Sequence, residues 1–178
     1  MSGPAVPVTE PLDLVALDTE RFVAGAGWDQ APRLFALVPT AALLEAQPEL
    51  ASGLSAADLA PGALAAVEQE DLPEHEGLED LLHQIAWPPA VTGCALAVER
   101  LVVPPEAERD LPTDPANALA ALAAHPARQD VRLLVAVLRD GAATCLLRQR
   151  DHDNDDDVAV GENIAPGLLD ALRQTLRD

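Results

Sequence analysis

The sequence predicts an α+β domain: an antiparallel sheet of roughly four to six strands around a central hairpin, Val131–Arg150, with helices packed mainly on one face. Three observations carry this. Asp140-Gly141 divides two apolar runs, VRLLVAVL and AATCLL, and both residue types tolerate the positive φ of a two-residue type I′ loop. A second run, GCALAVERLVV (93–103), reads as another strand and ends at Pro104-Pro105. Strand-like and helix-like stretches then alternate in an order that favours sequential antiparallel pairing.

A two-residue loop would set Leu138 opposite Ala143, Ala136 opposite Cys145 and Leu134 opposite Leu147. Leu133, Val135, Val137, Thr144 and Leu146 would occupy the other face. Both faces are apolar near the turn, which places the hairpin centrally in its sheet. The second face then needs the remaining helices, or a partner subunit, to cover it.

Residues 1–8 read as an extended arm around Pro4 and Pro7, and 9–178 as a single domain. Thr9 is a candidate N-cap, with Pro11 in the first turn, for a helix to about Ala26. RLFALV (33–38) is a short strand, and a helix from Thr40 closes near Gly53. Ser55 and Asp58 suggest a brief helical turn before Pro61-Gly62, and ALAAVEQEDL (63–72) is assigned to strand because the sheet needs more of them. Leu78, Leu81, Leu82 and Ile85 form a helical stripe ahead of Pro88-Pro89. Asp114 before Pro115 opens an Ala-rich helix that His125-Pro126 ends. After the hairpin come an acidic loop, a short Val-Ala-Val strand and a last helix from Pro166 with Leu168, Leu169, Leu172 and Leu176 along one side.

A chain of 178 residues, 49% of them apolar, has material for an ordinary core. The formal net charge is −19, and all eleven basic residues are Arg. Such a surface disfavours nucleic acid and anionic membranes and leaves basic proteins and metal cations as partners. The first residues lack the basic and apolar regions of a secretory signal, and Cys94 and Cys145 read as reduced core residues. Together these imply a cytoplasmic protein.

No catalytic signature stands out. His75, His83, His125 and His152 lack metal-ligand spacing, and Glu68, Glu70 and Asp71 read as a solvated edge. Trp28 and Trp87 each sit at an element junction, where an indole seals a core edge. The loop DHDNDDDVAVGE offers Asp151, Asp153, Asp155, Asp157 and Glu162 at the spacing of a calcium loop, so calcium or magnesium is a possible cofactor. Asp156 occupies the position where that loop needs Gly, and a strand precedes it in place of a helix. The same aspartates could instead neutralise Arg132, Arg148 and Arg150. If left free, those arginines are the candidate contact for an anion or a partner.

Three blocks, WDQAPRLFALVPTAALL (28–44), IAWPPAVTGCALAVERLVVPPEAE (85–108) and HPARQDVRLLVAVLRDGAATCLLR (125–148), resemble a conserved actinobacterial protein family of unknown function. That resemblance implies a cytoplasmic protein from a GC-rich bacterium and brings no activity with it. The architecture and acidity are also similar to a secretion-chaperone-like fold, which is an analogy of fold alone. The sequence thus points to a non-enzymatic acidic interaction module, adaptor or chaperone-like, with a protein partner or a homodimer. The alternative is a divalent-metal-binding protein or an enzyme using Asp151–Glu162.

Overall fold

The computed structural model describes residues 11–49, 62–70, 72–74, 77–103, 109–154, 157–161 and 166–176. The expected arm at 1–8, the Thr9 cap and the Ser55 turn lie outside them. The helix from Thr40 ends at Ala46 and does not reach Gly53, because Gln47 precedes Pro48 and leaves helical geometry. Elements follow in the order α1 (Pro11–Ala24), β1 (Arg33–Pro39), α2 (Thr40–Ala46), β2 (Leu64–Glu68), α3 (Leu78–His83), β3 (Gly93–Val102), α4 (Pro115–Ala124), β4 (Gln129–Leu138), β5 (Ala143–Gln149), a 3₁₀ turn (Arg150–His152), β6 (Ala159–Gly161) and α5 (Pro166–Thr175). The strands form one antiparallel six-stranded sheet in the order β2-β1-β3-β4-β5-β6, with five helices packed against it. The expected α+β class is present, and within the expected 63–72 stretch the strand is the shorter Leu64–Glu68.

The central strands dictate where the helices go. Gly93–Val98 of β3 and Val131–Val137 of β4 are buried at every position, so each face of the sheet needs a cover. On one face Leu12, Val15, Ala16 and Val23 of α1 pack on Phe35, Leu37, Ala95, Ala97, Leu134, Ala136 and Leu146. The small Ala95, Ala97 and Ala136 leave room for α1 to approach the sheet closely. On the other, Leu82 of α3 with Leu169 and Leu172 of α5 cover Leu96, Val98, Leu133, Val135 and Val137. Helix cover is therefore shared between the faces instead of lying mainly on one. Each fully buried leucine contributes about 1.5–3 kcal/mol, so Leu82 and Leu172 alone give α3 and α5 a firm hold.

Local signals act as their chemistry suggests. Asp114 caps α4, its side chain accepting from the Asn117 amide at 3.4 Å, with Pro115 in the first turn. The hairpin departs from the expected register by one residue. Val137 faces Ala143, Val135 faces Cys145 and Leu134 faces Leu146. The loop is Arg139–Gly141, closed by the Gly141 amide on the Leu138 carbonyl (3.0 Å) and the Leu138 amide on the Ala142 carbonyl (2.8 Å). Only Gly141 takes positive φ there (99°), because the Asp140 carboxylate accepts from the Ala142 amide at 2.9 Å and holds its own backbone in the ordinary region. A one-residue shift exchanges faces. Cys145 and Leu147 thus lie on the α5 side, and Thr144 and Leu146 on the α1 side.

Cys94 on β3 and Cys145 on β5 are separated by β4, a spacing of about 10 Å that no disulfide spans. Burial pushes both thiols up to about 11. No helix among the described residues is long and apolar enough to cross a membrane.

Gly93 sits where β3 leaves no room for a side chain against β4. A Cβ there would lie 2.2 Å from the Val137 carbonyl oxygen and 2.6 Å from Leu138 Cδ2. Gly93→Ala should therefore destabilise the protein by about 2–3 kcal/mol, read as a lowered urea midpoint. An unchanged midpoint would disprove this contact.

Candidate functional site

The sheet's α1 face changes character along its strands. Past Ala97, Leu134 and Leu146 the same row continues with Glu99, Arg132 and Arg148, cross-strand neighbours on β3, β4 and β5. Arg132 and Arg148 are paired directly across the ladder, so two like charges stand opposite each other, which is unfavourable unless carboxylates intervene. Both arginines are buried.

The chain supplies the missing charge from three places. Glu20, buried on α1, takes Arg148 in a fork, one oxygen on Nε and the other on Nη2 (2.9 Å). Arg148 Nη1 donates to Asp153 Oδ1 at 2.9 Å. Arg132 Nη2 donates to the Gly27 carbonyl and to Glu99 Oε2 (3.4 Å). Glu99 also accepts from the Asp29 and Gln30 amides, each at 2.9 Å, and so ties down the turn after α1.

Trp28 closes this end. The Arg132 guanidinium lies 4.4 Å from the indole centroid and that of Arg150 5.7 Å away, both within cation–π range. The indole N–H donates to Asp153 Oδ2 at 3.0 Å. Asp29, with positive φ (65°), holds Arg150 through both oxygens at 3.0 and 3.1 Å. Trp28 thus does more than seal a core edge: it joins the α1–β1 turn to the Asp-rich loop.

Of the candidate contact arginines, Arg132 and Arg148 lie inside this network and only Arg150 reaches solvent. Asp153 is engaged by Arg148 and Trp28, Asp151 and Asp157 are exposed, and Asp155 and Glu162 lie outside the described residues. Among the described residues no three His, Cys, Asp or Glu side chains converge as a metal-binding group. The junction's members largely satisfy one another; among the described residues, Arg132 Nη1 is buried without a hydrogen-bond partner.

Arg139 has a separate role. It donates to the carbonyls of Val91 (2.7 Å), Leu176 (2.6 Å), Trp87 and Pro88 (both 3.1 Å), pinning the end of α5 to the loop before β3. Trp87 stands at this opposite end, its N–H on Thr175 Oγ1 at 3.0 Å, so the two indoles line different places. Beside it, α3 and α5 enclose an open groove of about 430 Å³. Leu82, Ile85 and Ala171 form its apolar floor, and exposed Glu79 and Asp170 stand on its rims. Thr175 lines it from a buried position and approaches Cys94 Sγ to 3.6 Å.

Sequence reasoning missed Glu20 and the groove. Glu20 left a trace, an acid within the Leu12, Ala16, Thr19, Val23 stripe of α1, where only a paired carboxylate can be buried. The groove left none, since its walls come from segments far apart in the chain.

A family model described as PPA1309-like protein matches residues 12–177. The chain belongs to the PPA1309-like family. No curated protein and no solved structure matches it. The match spans both the junction and the groove of this PPA1309-like chain, and the family description attaches no chemistry to either.

Removing Arg148 alone, as Arg148→Leu, should cost about 3–5 kcal/mol by stranding the Glu20 charge. The double variant Glu20→Leu/Arg148→Leu should cost clearly less than the two single losses together. Additive urea-denaturation free energies would contradict the pairing.

The loop contacts predict a pH dependence. The Trp28 N–H, with Arg148, holds the Asp153 carboxyl below its ordinary range, and Arg150 does the same for Asp29. Depressed carboxyls give stability that is intact above the unfolded value of about 4 and is lost as pH falls through the folded values. In a Trp87→Phe background, Trp28 emission should hold steady down to about pH 4 and shift below it, and Asp153→Asn should remove part of that transition. A shift centred near neutrality would rule the linkage out.

Proposed function

We propose that this chain is a non-enzymatic, acidic interaction module, adaptor or chaperone-like, that recognises a positively charged protein partner in the cytoplasm. The carrying observation is the fate of its arginines. Arg33 pairs with Glu68, Arg132 with Glu99, Arg148 with Glu20 and Asp153, and Arg150 with Asp29 and Asp130. Arg139 is spent on carbonyls. With so much positive charge turned onto the molecule itself, a formal net charge of −19 falls largely on the outer surface. That field attracts basic surfaces and speeds their encounter.

A homodimer is the weaker form of the proposal, since a second copy brings the same sign of charge. Use of the Asp151–Glu162 loop for a divalent cation ranks behind both, because Asp153 is already held by Arg148 and Trp28. The two separated thiols and the absence of Lys, as in a GC-rich genome, support a cytoplasmic setting and an actinobacterial source.

Fluorescence anisotropy with cationic, neutral and anionic peptides tests the reading. Only cationic peptides should bind, with affinity falling as salt rises. Failure of every cationic peptide at low ionic strength would refute it.

A further inference from the structure

We infer that the groove between α3 and α5 is where that partner docks, and that its occupant is a basic amphipathic segment of another protein. This rests on the reading of the chain as an acidic interaction module and adds the place and the chemistry. An aliphatic side chain of the segment lies on Leu82, Ile85 and Ala171, and Lys or Arg side chains flanking it reach Glu79 and Asp170.

The occupant follows from the groove's charge and shape. Glu79 and Asp170 give both rims the same negative sign, and no Arg lines the groove among the described residues. Arg173 meets Asp170 at 3.4 Å in an exposed pair that contributes about 0–1 kcal/mol and yields readily to a better partner. A second copy of this chain is the wrong sign as a whole. A small molecule is also a poor fit, because five of the lining residues, Glu79 and Asp170 among them, are exposed. A site so open cannot enclose the roughly 70–90% of a compact ligand that such sites bury. An elongated amphipathic segment needs no enclosure: it sets an apolar stripe in the groove and leaves its outer face in water. The walls are firm enough to receive it. Leu82 and Leu172 anchor α3 and α5 in the sheet's core, and Arg139 fastens the end of α5 through the Leu176 carbonyl.

The test uses the full chain and a fluorescent amphipathic Lys–Leu peptide at physiological salt. Glu79→Gln/Asp170→Asn should weaken binding about tenfold or more. The control pair Asp13→Asn/Glu45→Gln removes the same charge from α1 and α2, outside the groove, and should change binding less than about twofold. Replacing the peptide's Leu by Ser should abolish binding. Equal losses in both variant pairs, or undiminished binding of the Ser peptide, would overturn the groove and leave the acidic-module reading standing. A wild-type chain that binds neither peptide would overturn both. Amide chemical-shift changes in the wild-type protein, expected on α3 and α5, give the same decision without any substitution; changes centred on α1 or the Asp-rich loop would overturn the assignment.

Discussion

The structure depends on one ionic row laid across a buried sheet face. Glu99, Arg132 and Arg148 continue the line of Ala97, Leu134 and Leu146 on adjacent strands, so the face that α1 must cover is apolar at one end and charged at the other. Two arginines opposed on neighbouring strands cannot be desolvated without carboxylates. The requirement is met by Glu20 from α1, Glu99 from β3 and Asp153 from the loop after β5. The apolar stripe of α1 on the alanine-lined half and the Glu20–Arg148 fork together set its position and orientation.

That arrangement ties architecture to surface character. A sheet whose middle strands are buried along most of their length needs helices on both sides, and among the described residues α1 packs on one of them. Drawing the arginines inward to hold α1 and the Trp28 turn leaves acids outside. A fold-level constraint thereby produces the electrostatic surface on which the functional proposal rests. The α3–α5 side carries the groove.

Much of the fold was legible in the sequence, and the reasons are local. The β3 and β4 runs, the Asp114-Pro115 start of α4 and the leucine stripe of α5 follow from periodicity and capping chemistry alone. The hairpin register differs by one residue from the expected one because Asp-Gly satisfies two loop lengths. The Asp140 side-chain bond to the Ala142 amide selects the longer one. The division of helices between two faces was less legible, since α1 and α5 carry similar stripes and only strand order decides which side each takes. At the junction, the closeness of Arg148 and Arg150 to the Asp-rich loop was visible, whereas Glu20 and Asp29 enter from 128 and 121 positions away. The groove depends wholly on how distant helices pack, which no stretch of sequence records.

Helix α1 belongs to the core, fastened through Glu20 and Arg148, and is not a flap laid on a finished sheet. Native-state hydrogen exchange at increasing denaturant tests it most directly. The α1 amides from Val15 to Val23 should exchange through the same global opening as those of β4, with one free energy and one denaturant slope. Exchange of α1 through a separate opening of much lower free energy, with little denaturant dependence, would contradict it.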